Sequence, residues 1–224
     1  MPRETLTKDQ IVRTAIDLLD DEGLDGLNMR SLGKRLGAAA TAVYWHVKNK
    51  DDLVVLAGDQ VWAEIALPPE DADWRTAARE LARSLHAMLS RHPWLVQAFG
   101  THLFHGPNKA RYDDRALAVF EAAGFEGPEA DRAAAAVLTF VLGNVLGASA
   151  LITITRRIER EGDDARERLD AVIAQARETA QAFPRLRERL DSPAAEYNAS
   201  PEHTFEHGLD ALLDGLGTGL ARRR

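Results

Sequence analysis

Tyr44, Trp45, His46, Lys48 and Lys50 stand within seven consecutive positions. Cations and polar aromatic rings at that density suit a polyanion. Lysine ammonium groups, the Arg30 guanidinium beside Ser31, and the Tyr44 hydroxyl can hold phosphates and fix register. Thr41, Ala42, Trp45 and His46 lie where base edges or thymine methyls could be met. The alternative is that Tyr44 or Trp45 packs against a neighbouring helix. Charge distribution supports the nucleic-acid reading: Gly26 to Lys50 holds five bases and no acid, in a chain of net charge −7. A basic patch on an acidic protein faces DNA locally and does not coat it indiscriminately.

A second group of chemistry-bearing residues runs from His86 to Tyr112: His86, His92, Trp94, Phe99, His102, Phe104, His105 and Tyr112. For each singly, ordinary core aromatics and surface histidines explain the pattern. Together, apolar walls with a few polar groups suit a small-molecule pocket. His102 and His105, like His203 and His207, are spaced so that both could ligate a metal from one helical face. We expect no metal or other cofactor; His203 and His207 are read as residues at the start of the last helix. Enzyme chemistry finds little support. Cysteine is absent, and so are a Gly-x-Ser-x-Gly elbow, a phosphate-binding glycine loop and a His-Glu-x-x-His helix. The carboxylates fall on solvated faces. We expect no enzymatic activity.

The elements that must position these residues read as all-α. Proline is missing from Arg3 to Leu67 and from Asp71 to His92, and no strand-length alternation occurs. Thr7 with Gln10 forms a capping box for a first helix, to about Asp21, that Gly23 stops. A second helix spans Met29 to Leu36 and ends at Gly37. A short third runs from Thr41, a possible cap, to Val47. Asn49 opens a fourth from Lys50 to about Ala66. Two helices across a glycine turn match a helix-turn-helix, whose second member enters the major groove. We expect a DNA-binding domain over 1–50 with a connecting helix 50–66, and a body over 70–224 that binds ligand and dimerises. The body should hold helices at Asp73–Arg91, from Pro93, Lys109–Ala123, Pro128–Glu161 and Pro201–Leu220. Charged, exposed helices should fill Glu161 to Asp191, and a loop Ser192 to Pro201. An Arg222–Arg224 tail is read as solvated.

The uncharged run from Ala133 to Thr155 is long enough to cross a bilayer. Asn144, its small residues and its threonines dilute it, and no other segment is similar. We read it as the buried central helix of a bundle in a cytoplasmic protein without membrane contact. The start of the chain lacks the apolar run of a secretory signal. Gly143 and Gly147 would let another helix approach closely, as small residues four apart do.

The string from Thr41 to Leu53 closely resembles the recognition helix and following turn of the tetracycline-repressor family. Tyr44 to Lys50 is similar to the tetracycline repressor branch itself. Gly124–Phe125, Phe140 to Leu146 and Thr204 to Leu209 look like that branch's regulatory domain. The resemblance implies a homodimer on palindromic double-stranded operator DNA, released by a small-molecule effector held in the body. A regulator without inducer is the alternative. The pocket then includes His86, Trp94, Phe99, His102, Phe104, His105, Tyr112, Phe140 and Asn144. The dimer face includes Gly143, Gly147, Phe205, Leu209, Leu212 and Leu213. The family's drug is taken as a magnesium chelate through a histidine, and His102 or His105 falls near that position without matching loop lengths. Where tetracycline repressors carry Gln-Pro-Thr, this chain has Ala40-Thr41-Ala42, which implies a different operator.

Overall fold

The computed structural model describes residues 6–190 and 201–221. These residues form eleven helices and no strand. The expected Ser192 loop, the Arg222–Arg224 tail and the His203 side chain lie outside the described residues. Helix α1 (Lys8–Gly26) opens on the capping box, Gln10 N donating to Thr7 Oγ1 at 3.2 Å and Thr7 N to Gln10 Oε1 at 2.9 Å. Gly23 breaks it and one loose turn follows. Then come α2 (Met29–Leu36), α3 (Ala40–Tyr44) and α4 (Lys50–Trp62). The strut α4 ends at Trp62, before the expected Ala66, with Ala63 as its C-cap.

The body holds α5 (Trp74–Arg91), α6 (Pro93–Ala98), α7 (Pro107–Ala123), α8 (Pro128–Glu161), α9 (Asp163–Gln181), α10 (Pro184–Arg187) and α11 (Pro201–Ala221). Prolines open α6, α7, α8 and α10, where the first N–H has no helical partner to lose. Proline also explains why α7 starts at Pro107, ahead of Lys109. One contiguous apolar core runs through both head and body, from Ile11 to Leu213.

At its centre α8 packs on α5, α6, α7 and α11. It buries Ala133, Val137, Val141, Val145 and Ser149, four residues apart. The expectation of a buried central helix holds for that face only. Gly143, Leu146, Gly147, Ala150, Leu151 and Ile154 are exposed, and 22% of its most apolar window is buried within one chain. A charge ladder clamps α11 on α5: Arg75 to Asp214, Arg79 to Asp210, and Arg83 to Glu206 through bonds of 2.8 and 2.7 Å. The Arg83 hydrogen bond holds the Glu206 carboxyl below the ordinary range, and Arg79 does the same for Asp210. Both sets repeat every fourth residue, so this pairing was open to a reader of the sequence who compared the two helices.

Candidate nucleic-acid interface and effector region

The head is assembled by backbone fit. Asn28 Oδ1 accepts from Arg30 N at 3.1 Å and Ser31 N at 2.9 Å, starting α2. Gly37 closes it in the left-handed region at φ 63°, and Ala38 N donates back to Gly33 O at 2.9 Å. A Cβ on Gly33 would stand 2.8 Å from Ala38 O and 3.2 Å from Ala40 N, so only glycine lets α3 close on α2. Val43 and Val47, fully or nearly buried, anchor the second helix from below. Each contributes roughly 1.5 kcal/mol by burial.

That anchoring decides what faces outward. Trp45 is 88% exposed and Tyr44 53%, which rules out packing of Trp45 against α1 or α4. Thr41, His46, Lys48, Arg30 and Lys34 are exposed, and Ala42 is half-buried. Arg30, Lys34 and Lys48 enter no ion pair among the described residues, while Arg35 is held by Asp21 at 2.6 Å. Unpaired cations beside two exposed rings can accept phosphates without first breaking a bond.

Three expectations for the head need correction. Lys50 donates Nζ to Leu24 O at 2.7 Å, tying the start of α4 to the end of α1. The Ser31 hydroxyl is taken by Gly26 O at 3.0 Å and Asn28 O at 2.9 Å, inside the α2 cap. Both side chains are thus engaged in holding the head together. Thr41 is no cap: Ala39 occupies that position, without a side-chain bond, and Thr41 lies within α3.

The aromatic and histidine residues of the body separate into distinct groups. His86, Phe140, Asn144 and Phe205 come together from α5, α8 and α11. His86 Nε2 lies 3.1 Å from Asn144 Oδ1, its ring 4.2 Å from that of Phe205, and Phe140 stacks on Phe205 at 5.8 Å. In this part of the expected pocket ring faces and a polar pair from three helices converge. Phe99, His102 and Phe104 belong to the α6–α7 connection. Phe104 is buried and packs over Gly58 of α4 so closely that a Cβ there would stand 2.3 Å from its ring. His102 Nε2 sits 3.4 Å from Asp51 of α4, too long for a well-formed hydrogen bond. His105 is exposed.

Trp94 and Tyr112 are corrections. Trp94 is fully buried and donates Nε1 to Asp20 Oδ1 at 2.8 Å, joining body to head. Tyr112 is buried against Trp62 of α4, centroids 4.9 Å apart, and burial pushes its hydroxyl pKa far up. Neither is open to a ligand. Phe205, Leu209 and Leu213 are likewise corrected: all three are buried within the protomer and cannot form the dimer face. Gly143 and Gly147 are exposed, and Leu212 is half-buried.

Sequence reasoning missed Asp59. From α4 its Oδ1 accepts Asn108 N at 3.0 Å and Lys109 N at 2.9 Å, and its Oδ2 accepts Asn108 Nδ2 at 3.1 Å. It caps α7 from another helix. In return Arg111 donates to Ile65 O at 3.3 Å, and Arg115 to Pro68 O at 3.1 Å, just past α4. The second half of α4 is therefore fixed to α7 at both ends.

Comparison with known proteins fits this geometry. Residues 11–57 match the family described as "Bacterial regulatory proteins, tetR family", and residues 67–220 the "Tetracyclin repressor-like, C-terminal domain". An HTH-type transcriptional regulator of Saccharopolyspora erythraea is 34% identical over 212 residues, covering 94% of this chain and 84% of that protein. The tetracycline repressor protein class A from transposon 1721, of Escherichia coli, is 34% identical over 227 residues, covering 98% and 92%. The structure of Streptomyces coelicolor ActR in complex with actinorhodin is similar at a TM-score of 0.76 and 30% identity, over 97% of this chain and 98% of that one. With both halves matched, the chain belongs to the TetR family of transcriptional regulators, which are DNA-binding proteins and not enzymes.

Proposed function

We propose that this protein is a homodimeric, ligand-responsive repressor of the cytoplasm that binds a palindromic operator and leaves it when a small molecule enters the body. The observation that carries the reading is the exposed set Tyr44, Trp45, Arg30, Lys34 and Lys48, held out by a buried valine pair and unengaged by other charged groups. Two copies must be set about one helical turn of DNA apart, roughly 34 Å, to meet successive major grooves. The outward apolar face of α8, with Leu146 at 56% and Leu151 at 57% exposure, supports pairing there. Small residues on exposed positions of α11, Ala211, Gly215 and Gly219, extend that face. A four-helix interface of α8 and α11 from each protomer follows.

The dimer has a direct test. Leu146→Glu with Gly147→Glu places two carboxylates at the centre of the face and leaves the protomer core untouched. Light scattering should report a monomer, and operator affinity should fall at least about a hundred-fold, because the second half-site is lost. An intact dimer refutes the α8 interface.

ActR has been solved with actinorhodin. Here the half-buried His86, Phe140 and Asn144 supply two rings and an amide over the buried Phe205, which suits an apolar effector with a flat ring system and one polar edge. The effector is proposed to bind without a metal: His102 Nδ1 is engaged by Thr101 Oγ1 at 2.9 Å, its Nε2 lies 3.4 Å from Asp51, and His105 is exposed. Because α7 holds the second half of α4, the first half, from Lys50 to Ala57, is the part free to swing the head. The change from Gln-Pro-Thr to Ala40-Thr41-Ala42 supports an operator distinct from that of the tetracycline repressors. DNA selected from a random duplex pool would define it, and tight binding to a tetracycline-type operator would refute the distinction. Thermal shift against a metabolite panel separates this reading from a regulator without inducer.

A further inference from the structure

We infer that His92 is the positioning residue through which the body holds the DNA-binding head, acting as an imidazolium bonded at both nitrogens. Its Nδ1 lies 2.8 Å from Asp20 Oδ1 and its Nε2 3.0 Å from Glu64 Oε1. Carboxylates only accept, so both ring nitrogens must donate, and neutral histidine has a single N–H. The ring is 6% exposed. Asp20 belongs to α1, the first helix of the head, and Glu64 lies two residues past α4. One ring at the entry of α6 thus ties down both routes from body to head.

The charged groups around it are accounted for. Arg91 of α5 bonds Glu64 Oε2 at 2.7 Å, Arg156 of α8 donates to Asp20 O, and Trp94 shares Asp20 Oδ1. Asp17 and Asp21 flank Asp20 on α1, with Arg35 of α2 beside them. Burial lowers the His92 pKa, but the Asp20 hydrogen bond and the Asp20 and Glu64 charges outweigh it and leave the group above its ordinary value. Burial raises the Glu64 pKa, but the Arg91 bond and the His92 charge bring it below the carboxylate range.

The sign follows. A raised histidine contributes fully below its unfolded value, about 6.5, and that contribution is lost as pH rises through the folded value. Glu64 contributes above its unfolded value and is lost as pH falls through its lowered one. Between the two the latch is closed. When His92 loses its proton, one bare ring nitrogen faces a carboxylate oxygen and that tether opens. This inference rests on the repressor reading, in which the ligand-free form is the one that binds DNA.

The experiment uses the full-length dimer and a duplex selected by it from a random pool. Wild type, His92→Gln and His92→Arg are titrated with that duplex from about pH 6 to 9 by fluorescence anisotropy. Wild-type affinity should fall roughly ten-fold as pH rises, the change that one pKa unit of difference between held and released heads would give. His92→Arg should stay tight and His92→Gln weak, both without that step. A His92→Gln profile parallel to wild type overturns the inference. If that variant does not fold, histidine Cε1 NMR of the wild type decides: the resonance lost in His92→Arg should titrate above the free-histidine value. Titration at or below the free-histidine value overturns it. Binding to no selected duplex at any pH sinks the repressor reading, and the NMR titration still decides the latch.

Discussion

Replacing Arg30, Lys34 and Lys48 together by alanine should weaken operator binding by roughly a thousand-fold or more, with no change in melting temperature. Each of these side chains is exposed and outside every ion pair among the described residues, so truncation removes nothing the fold uses. On DNA each neutralises a phosphate and releases a counterion. A dimer presents the set twice, so the slope of log affinity against log salt should become shallower by about five. The loss should be nearly the same for specific and random duplexes, since phosphate contacts carry little sequence information. Lys50→Ala serves as the contrast. Its ammonium is bonded to Leu24 O, so it should lower stability by about 1 kcal/mol and leave the salt slope unchanged. If Lys50→Ala also flattened the slope, Lys50 would belong to the phosphate grip and not to the scaffold alone.

That contrast marks the limit of what could be read from the chain alone. Type and spacing placed Lys48 and Lys50 as equivalents two residues apart. Their difference arises because Lys50 meets the end of α1, a contact made by folding across 26 positions. Local signals survived well. The Thr7–Gln10 box, Gly37 and the prolines that open helices act within one turn, and the structure places their helices as the pattern requires. Trp94 failed because an indole at helical spacing looks the same whether it lines a chamber or donates to Asp20. Periodicity reports which face of α6 is apolar, not which element covers it. Phe205, Leu209 and Leu213 failed in the same way: the apolar stripe of α11 was legible, but the neighbour that buries it is α8 and α5 of the same chain. The dimer residues had to be found on the opposite criterion, as apolar positions left uncovered.

Asp59→Ala should destabilise the protein by about 2 to 4 kcal/mol, the loss of a helix cap together with charge-assisted bonds to N–H groups. A fall in melting temperature of roughly 8 °C corresponds to this for a chain of such size. The Asp59 carboxylate occupies the space in front of α7, and the chain accommodates it only because residue 106 is glycine. Gly106 has φ 149°, and a Cβ there would stand 2.3 Å from the Asp59 carboxyl carbon. Gly106→Ala should therefore also destabilise, by forcing the carboxylate out and by backbone strain of about 1 to 3 kcal/mol. The two losses should not add. With Asp59 already alanine, the new methyl meets no carboxylate, and only the strain remains, so the double variant should be more stable than the sum of the singles predicts. Denaturant titration of the four chains measures the difference. Full additivity would mean that Gly106 and Asp59 act independently and that α4 is not fastened to α7 through them. Coupled losses would show that Asp59 and Gly106 act as one fastening of the strut, beside the Arg111 and Arg115 bonds just past α4, through which movement in the body changes the spacing of the two heads.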